Sequence, residues 1–315
     1  MMQGRGSRPA SPLFFGAPTM LHVVHHPDYV VPAKGEGTFR HDKYARVMDA
    51  LRESGVPMTV HVPDIMPRAW LEAVHDPGYV EEIIACRVAA AKERRIGFPI
   101  DESISRRSQL SPGGTWLAAK LALRHGYAAN SAGGSHHALA DTGAGYCVFN
   151  DLAVAANRLI EEGDAKRILI LDLDVHQGDG TAALTAGRGD IFTLSLHAEK
   201  NFPTRKARST LDIALPDLTD DTVYLDILKR TLTGALDDFR PDLILLQAGV
   251  DAHVDDRLGR LALTDAGLVE RDQIVSDAAR QRSIPLASTL GGGYGADRDA
   301  VARRHARSIL TLGSS

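Results

Sequence analysis

The 315-residue chain has little of three things that would place it in a specialised class. Cysteine is the scarcest, with only Cys86 and Cys147. Two cysteines cannot build a disulfide framework, and these two do not form a paired-cysteine zinc motif, so a reducing, cytoplasmic setting is expected. Long apolar runs are also missing: none approaches the roughly 20 residues a membrane helix needs, and no membrane association is expected. Residues 1–20 mix Arg, Ser, Pro and Gly around a short Leu-Phe-Phe stretch, without the continuous apolar core of a secretory signal. They read as a flexible leader to a body spanning residues 21–315. Positive charge is in deficit, with 36 Lys and Arg against 40 Asp and Glu, a formal net charge of −4. That leaves no overall basic field to hold a nucleic-acid backbone, so direct nucleic-acid binding is not expected. Internal repeats, low-complexity tracts and Pro- or Ser-rich linkers are absent too, which favours a single domain.

What is present suits an ordinary globular core: 44% of residues are hydrophobic and 24% charged. From Leu21 onward, short apolar runs alternate with longer amphipathic segments, the pattern of an α/β domain with a mostly parallel sheet. Four runs read as buried strands: RILILDLDV after Lys166, IFTLSL around Phe192, DLILLQAG after Pro241 and PLASTL after Ile284. Between them, Leu225, Leu228, Leu232 and Leu236 recur at helical spacing from about Thr222 to Phe239 and read as core packing. Asn150 or Asp151 can cap a helix ending near Gly163, and Asp265 can help start one running to Arg282. The Ser-, Arg- and Pro-rich stretch from Phe98 to Pro112 reads as a long surface loop.

Ligands of an open parallel sheet bind beyond the carboxyl ends of its strands, and here those ends carry the unusual residues. The first strand runs into Asp172, Asp174, His176 and Asp179; the third ends in Asp251; the fourth ends in Gly291, Gly292, Gly293 and Tyr294. Asp174 and His176 are two residues apart, so on an extended backbone both side chains leave the same face and can share one ion. Asp251 supplies a third ligand from another strand end. Two carboxylates and an imidazole leave coordination positions open, as in a catalytic rather than a structural zinc site. An isolated Asp-x-His pair is commonplace, but three carboxylates around the end of an apolar strand are costly unless something cationic compensates them.

Adjacent His136 and His137 follow a glycine pair in AGGSHHALADTGAGYCVFND and offer a general acid and a general base whose pKa values neighbours can separate. Tandem histidines are more often accidental, and His25 and His26 are assigned to that ordinary class. The glycine run before Tyr294 lets the backbone bring a phenol close to a ligand, where it could share the charge of an oxyanion.

Six motifs, GGSHHA, GYC, ILILDLDVHQGDGT, TLSLH with NFP, AGVDAHVDDRLGRLALT and GGGY, occur in an order that resembles the histone deacetylase family. The resemblance runs from about Leu21 to Leu312, and the DRLGRLALT and GGTWLAAK stretches look most like class IV deacetylases and their bacterial relatives. It implies a single arginase/deacetylase-type domain, with a central parallel sheet flanked by helices on both faces and a substrate tunnel leading to one zinc ion. Asp174, His176 and Asp251 match the zinc ligands, His136 and His137 the catalytic pair, and Tyr294 the catalytic tyrosine. Asp172 and Asp179 match the hydrogen-bond partners of His136 and His137. Asp172, Ser195 and the carbonyls of Asp174, His176 and Leu196 match a structural potassium site. Gly145, Tyr146 and Phe202, together with Gly292 and Gly293, match residues of the acyl-lysine tunnel. Tyr146 stands where the family commonly has Phe, and His253 where an aliphatic residue is common, as a rim residue or simply packed.

The expected activity is therefore zinc-dependent removal of an acetyl or longer acyl group from lysine in a protein or peptide, or from a small amine. His137 is the expected general base, with the division of labour between it and His136 left open. The alternatives are an acetylpolyamine amidohydrolase, a two-manganese ureohydrolase and a catalytically inactive acyl-lysine-binding protein. A ureohydrolase would need a carboxylate where Gly178 stands. Acyl length, amine carrier and oligomeric state stay open, because the segments Phe98–Pro112 and Phe202–Thr210 carry no transferable code. The cluster from Arg205 to Arg208 reads as solvated surface.

Overall fold

A computed structural model describes residues 20–31 and 41–314. The expected leader, apart from Met20, lies outside the described residues. Eight strands form one sheet: β1 (Leu21–Val24), β2 (Met58–His61), β3 (Tyr127–Asn130), β4 (Ile168–Asp172), β5 (Ile191–Ala198), β6 (Leu211–Leu215), β7 (Leu243–Gln247) and β8 (Leu286–Thr289). Their spatial order is β2-β1-β3-β8-β7-β4-β5-β6, and every pairing is parallel. Ten α-helices and one short 3-10 helix (Pro27–Tyr29) complete the described fold. The α-helices are α1 (Lys43–Glu53), α2 (Arg68–Glu72), α3 (Pro77–Ile84), α4 (Ala90–Ile96), α5 (Glu102–His125), α6 (Asp151–Glu162), α7 (Asp179–Leu184), α8 (Asp221–Phe239), α9 (Asp265–Gln281) and α10 (Arg298–Gly313).

Alternation along the central strands explains the layering. Leu169 and Leu171 of β4, Leu194 and Leu196 of β5, and Ile244 and Leu246 of β7 pack with the buried leucines of α8 and with Val275 of α9. Ile168, Ile170, Ile191, Leu243 and Leu245 point the other way, onto Ala118 and Ala122 of α5 and Leu152, Ala156 and Leu159 of α6. A parallel sheet covered on both faces demands apolar residues at consecutive positions, and every residue of β4 and β7 is buried. Each fully buried aliphatic side chain contributes roughly 1.5–3 kcal/mol, so these two strands anchor the fold and hold the site that follows them.

The four strands expected from sequence are present, joined by β1, β2, β3 and β6, which are only four or five residues long. Asn150 caps α6 through a bond from the Ala153 N–H, Gly163 ends that helix in a left-handed conformation, and α9 starts at Asp265, which stands in its first turn behind the capping Thr264.

One expectation is overturned. The segment from Phe98 to Pro112 is not a long surface loop, because α5 begins at Glu102 and runs through Pro112 to His125. Asp101 caps it by accepting a bond from the Ile104 N–H, and Leu110, Ser111 and Pro112 are buried. The small residues that resemble loop composition are set by packing: a Cβ on Gly113 would sit 2.2 Å from the Asp64 carbonyl oxygen. Among the described residues, no helix is long and apolar enough to cross a membrane.

Candidate active site

The strand ends deliver their polar residues to one place. Asp172 closes β4, paired in register with Ser195 of β5 and Gln247 of β7. Beyond it, Leu173 and Val175 are buried in the α8–α9 core, while the alternating Asp174 and His176 turn toward the site. Asp251 follows β7, and its Oδ1 accepts a 2.9 Å bond from the Val175 N–H, tying the two strand ends together. Asp174, His176 and Asp251 are all buried, with one ligand atom from each within 4.8 Å of the others.

Asp174 is held on both oxygens. Its Oδ2 accepts from Gln247 Nε2 at 2.7 Å and the Gly292 N–H at 2.8 Å; its Oδ1 lies 2.9 Å from His176 Nδ1. Asp251 Oδ2 faces His176 Nδ1 at 3.2 Å yet receives no hydrogen bond, an orphaned carboxylate oxygen in a fully buried residue. Only glycine fits beside it, since a Cβ on Gly292 would lie 1.9 Å from that oxygen. Burial and the neighbouring Asp174 push the Asp251 carboxyl up to about 7. Burial would lower His176, but its hydrogen bond to Asp174 and the charges of the Asp174 and Asp251 carboxylates facing it outweigh that and raise it to about 10. A proton on His176 is the only cation these groups can provide for themselves. An imidazole, two carboxylates and an unpartnered oxygen fit a divalent ion such as zinc.

The histidine pair stands over this floor. His136 Nδ1 is 2.7 Å from Asp172 Oδ2, His137 Nδ1 is 2.7 Å from Asp179 Oδ1, and the two rings are 4.0 Å apart. Burial depresses both imidazoles, but at His136 the Asp172 and Asp174 carboxylates prevail and lift it to about 9. At His137 burial and the adjacent His136 charge prevail over Asp179, leaving it at about 3. The two environments push the adjacent imidazoles in opposite directions, favouring the proton on His136 over His137. Tyr294 completes the ring of groups, its ring centroid 6.4 Å from His176 and 5.7 Å from Tyr146. Burial and the charges of Asp174 and Asp251 hold its phenol well above the usual range, so it is a hydrogen-bond donor.

A cleft of about 530 Å³ leads outward from His137, His176 and Tyr294 between Gly145, Tyr146 and Phe202. Phe202 stands edge-on to His137 at 4.8 Å and is 45% exposed. Two expected tunnel residues lie elsewhere. Gly292 lines a separate cavity of about 30 Å³ that shares Gly145, Tyr146 and Tyr294 with the cleft, and a Cβ on Gly293 would meet His305, Val250 and Val301. His253 is buried outside the cleft, its Nδ1 accepting from the Asp255 N–H, which makes it a packed residue. His25 is likewise engaged, 2.7 Å from Ser131 Oγ.

Three positioning residues escaped the sequence reading. Asp151, weighed only as a helix cap, accepts from the Gly134 and Ser135 N–H groups and from Thr115 Oγ1, and so fixes the loop carrying both histidines. Asp256 accepts the Tyr294 N–H at 2.6 Å. Gln247 ends an otherwise apolar strand, which was the available signal for it.

Comparison with known proteins identifies the family. Residues 38–310 match the histone deacetylase domain. The chain belongs to the histone deacetylase family. It is 45% identical over 285 residues to an uncharacterized protein of Picosynechococcus, covering 90% of this chain and 95% of that one. It is 30% identical to a probable deacetylase of Archaeoglobus fulgidus, covering 86% of this chain and 80% of the relative. Among solved structures, the HDA15 HD domain superposes with a TM-score of 0.79 at 22% identity, over 95% of this chain and 90% of that one. An acetylpolyamine aminohydrolase from Burkholderia pseudomallei gives a TM-score of 0.76 at 22% identity, over 93% and 98%. These two likenesses establish the shared fold. Family membership supports hydrolase activity of the deacetylase and amidohydrolase kind.

Proposed function

We propose that this family member is a zinc-dependent amidohydrolase that removes an acetyl or longer acyl group from the side-chain amine of lysine, or from a small amine. The carrying observation is the orphaned Asp251 Oδ2, buried beside Asp174 and His176 at the foot of a cleft that His137 and Tyr294 also line. Asp174, His176 and Asp251 would hold the zinc, which would supply Lewis acidity toward an amide carbonyl and a water.

The chain's own groups supply the rest. Asp179 occupies His137 Nδ1 and leaves Nε2 as the proton acceptor, so His137 serves as general base toward water and then returns the proton to the departing amine. His136, kept cationic by Asp172, contributes positive charge. The Tyr294 hydroxyl donates to the oxygen on which negative charge develops. Tyr146 and Phe202 form walls for the aliphatic stem of the acylated side chain.

A potassium ion beside Asp172, with Ser195 and the carbonyls of Asp174, His176 and Leu196 as ligands, belongs to the same reading. A higher melting temperature in potassium than in sodium chloride tests it.

Zinc-loaded protein assayed on fluorogenic acyl-lysine substrates of increasing acyl length is the direct test. Hydrolysis lost on chelation and restored by zinc is expected, and no turnover of any substrate contradicts the proposal. Acetylspermidine in the same panel separates the acetylpolyamine reading, which uses the same floor groups. A ureohydrolase is disfavoured because a Cβ on Gly178 would lie 2.3 Å from Asp172 Oδ2, which leaves no room for the additional carboxylate.

A further inference from the structure

The mouth of the cleft has a charge opposite to that of the chain as a whole. Arg94 and Arg95 from the end of α4, Lys200 ahead of Phe202, and Arg257 and Arg260 after Asp251 all line it, while among the described residues no carboxylate does. All five side chains are exposed. Two are partly balanced: Arg260 pairs with Asp217 at 2.5 Å, and Lys200 lies 4.0 Å from the same carboxylate. No ion pair engages Arg94, Arg95 or Arg257 among the described residues. In a protein of net charge −4, this concentration does not follow from bulk composition.

Helix-end electrostatics explains part of it, since Arg94 and Arg95 stand in the last turn of α4. That effect is small at an exposed site and is confined to the last turn of the helix. It does not account for Lys200, Arg257 and Arg260, which come from other loops. Like charges gathered around one concavity repel one another and focus a positive potential there, and an anionic ligand relieves that repulsion.

We propose that the cleft selects acylated amines carried on an anionic scaffold, with carboxylates or phosphates beside the acylated side chain, and disfavours polycationic carriers. This rests on the amide hydrolysis proposed above. Anionic groups on the carrier would meet Arg94, Arg95 and Arg257 while the acyl end reaches His137 and Tyr294.

The test compares acetyl-lysine peptides that differ only in acidic, neutral or basic flanks, on zinc-loaded protein at low and high salt. A small-molecule arm sets N-acetyl-4-aminobutyrate against N-acetylputrescine and separates a metabolite from a peptide carrier. Acidic carriers should exceed basic ones by tenfold or more in kcat/KM at low salt, mainly through KM, with the advantage shrinking in 0.5 M salt. The exposed double substitution R94E/R257E should reverse the order. Equal rates across the series, or a preference for basic carriers, would overturn the proposal. If nothing is hydrolysed, the activity reading fails, and the charge inference is judged by fluorescence anisotropy. Metal-free protein should then bind the acidic peptide, labelled with a neutral dye, in a salt-sensitive way and tighter than the basic one; equal affinity overturns the inference.

Discussion

The floor and the mouth of one cleft treat charge in opposite ways. At the floor, Asp172, Asp174, Asp179 and Asp251 are buried, and nearly every carboxylate oxygen has an assigned donor: an imidazole, a backbone N–H or the Gln247 amide. At the mouth, Arg94, Arg95 and Arg257 stand exposed without ion partners among the described residues. Dielectric environment accounts for the contrast. A buried charge must be compensated when the chain folds, whereas an exposed one costs little and can wait for a ligand. Among the described residues, the fully enclosed floor carboxylate oxygen without a donor is Asp251 Oδ2, which is where the proposed ion would bind.

Floor substitutions should therefore be severe and mouth substitutions graded. His137→Ala should lower acyl-lysine hydrolysis by about 10²–10⁴-fold while circular dichroism stays unchanged. Tyr294→Phe should cost about 10²–10³-fold in kcat, or roughly 3–4 kcal/mol, with zinc content retained. Full activity in that variant would remove Tyr294 from the mechanism. Gly292→Ala, which thrusts a methyl group into the Asp251 carboxylate, should weaken zinc retention during dialysis by at least tenfold. Arg94→Ser and Arg257→Ser should each change KM for an acidic peptide only a few-fold. His253→Leu, outside the cleft, should leave turnover within about twofold, and a large loss would show that packing there reaches the site.

The same contrast governs what could be read from the sequence. Floor residues sit in short motifs at the ends of apolar strands, so Asp174, His176 and Asp251 stood out as polar interruptions of runs that otherwise had to be buried. The buried central strands were legible for the same reason. β1, β2, β3 and β6 were not: β2 and β6 are edge strands with few or no buried residues, and LHVV and YAAN carry a histidine, small alanines and an asparagine in place of a continuous large-aliphatic run. Helix α5 was misread because Ser, Gly and Pro are chosen there for close approach to neighbouring backbone, and composition alone does not distinguish that from a loop. Asp151 positions the histidine loop through tertiary contacts that no local pattern announces. The cationic mouth was invisible because its members come from three separate segments brought together only by folding.

The most direct test is zinc stoichiometry measured together with turnover, on the wild type and on Asp251→Asn. One tightly held zinc per wild-type chain is predicted, with acyl-lysine hydrolysis abolished by chelation and restored by one equivalent of zinc, and with both lost in the variant. Undiminished turnover after complete metal removal, or an Asp251→Asn protein that holds zinc and works as well as the wild type, would contradict the account.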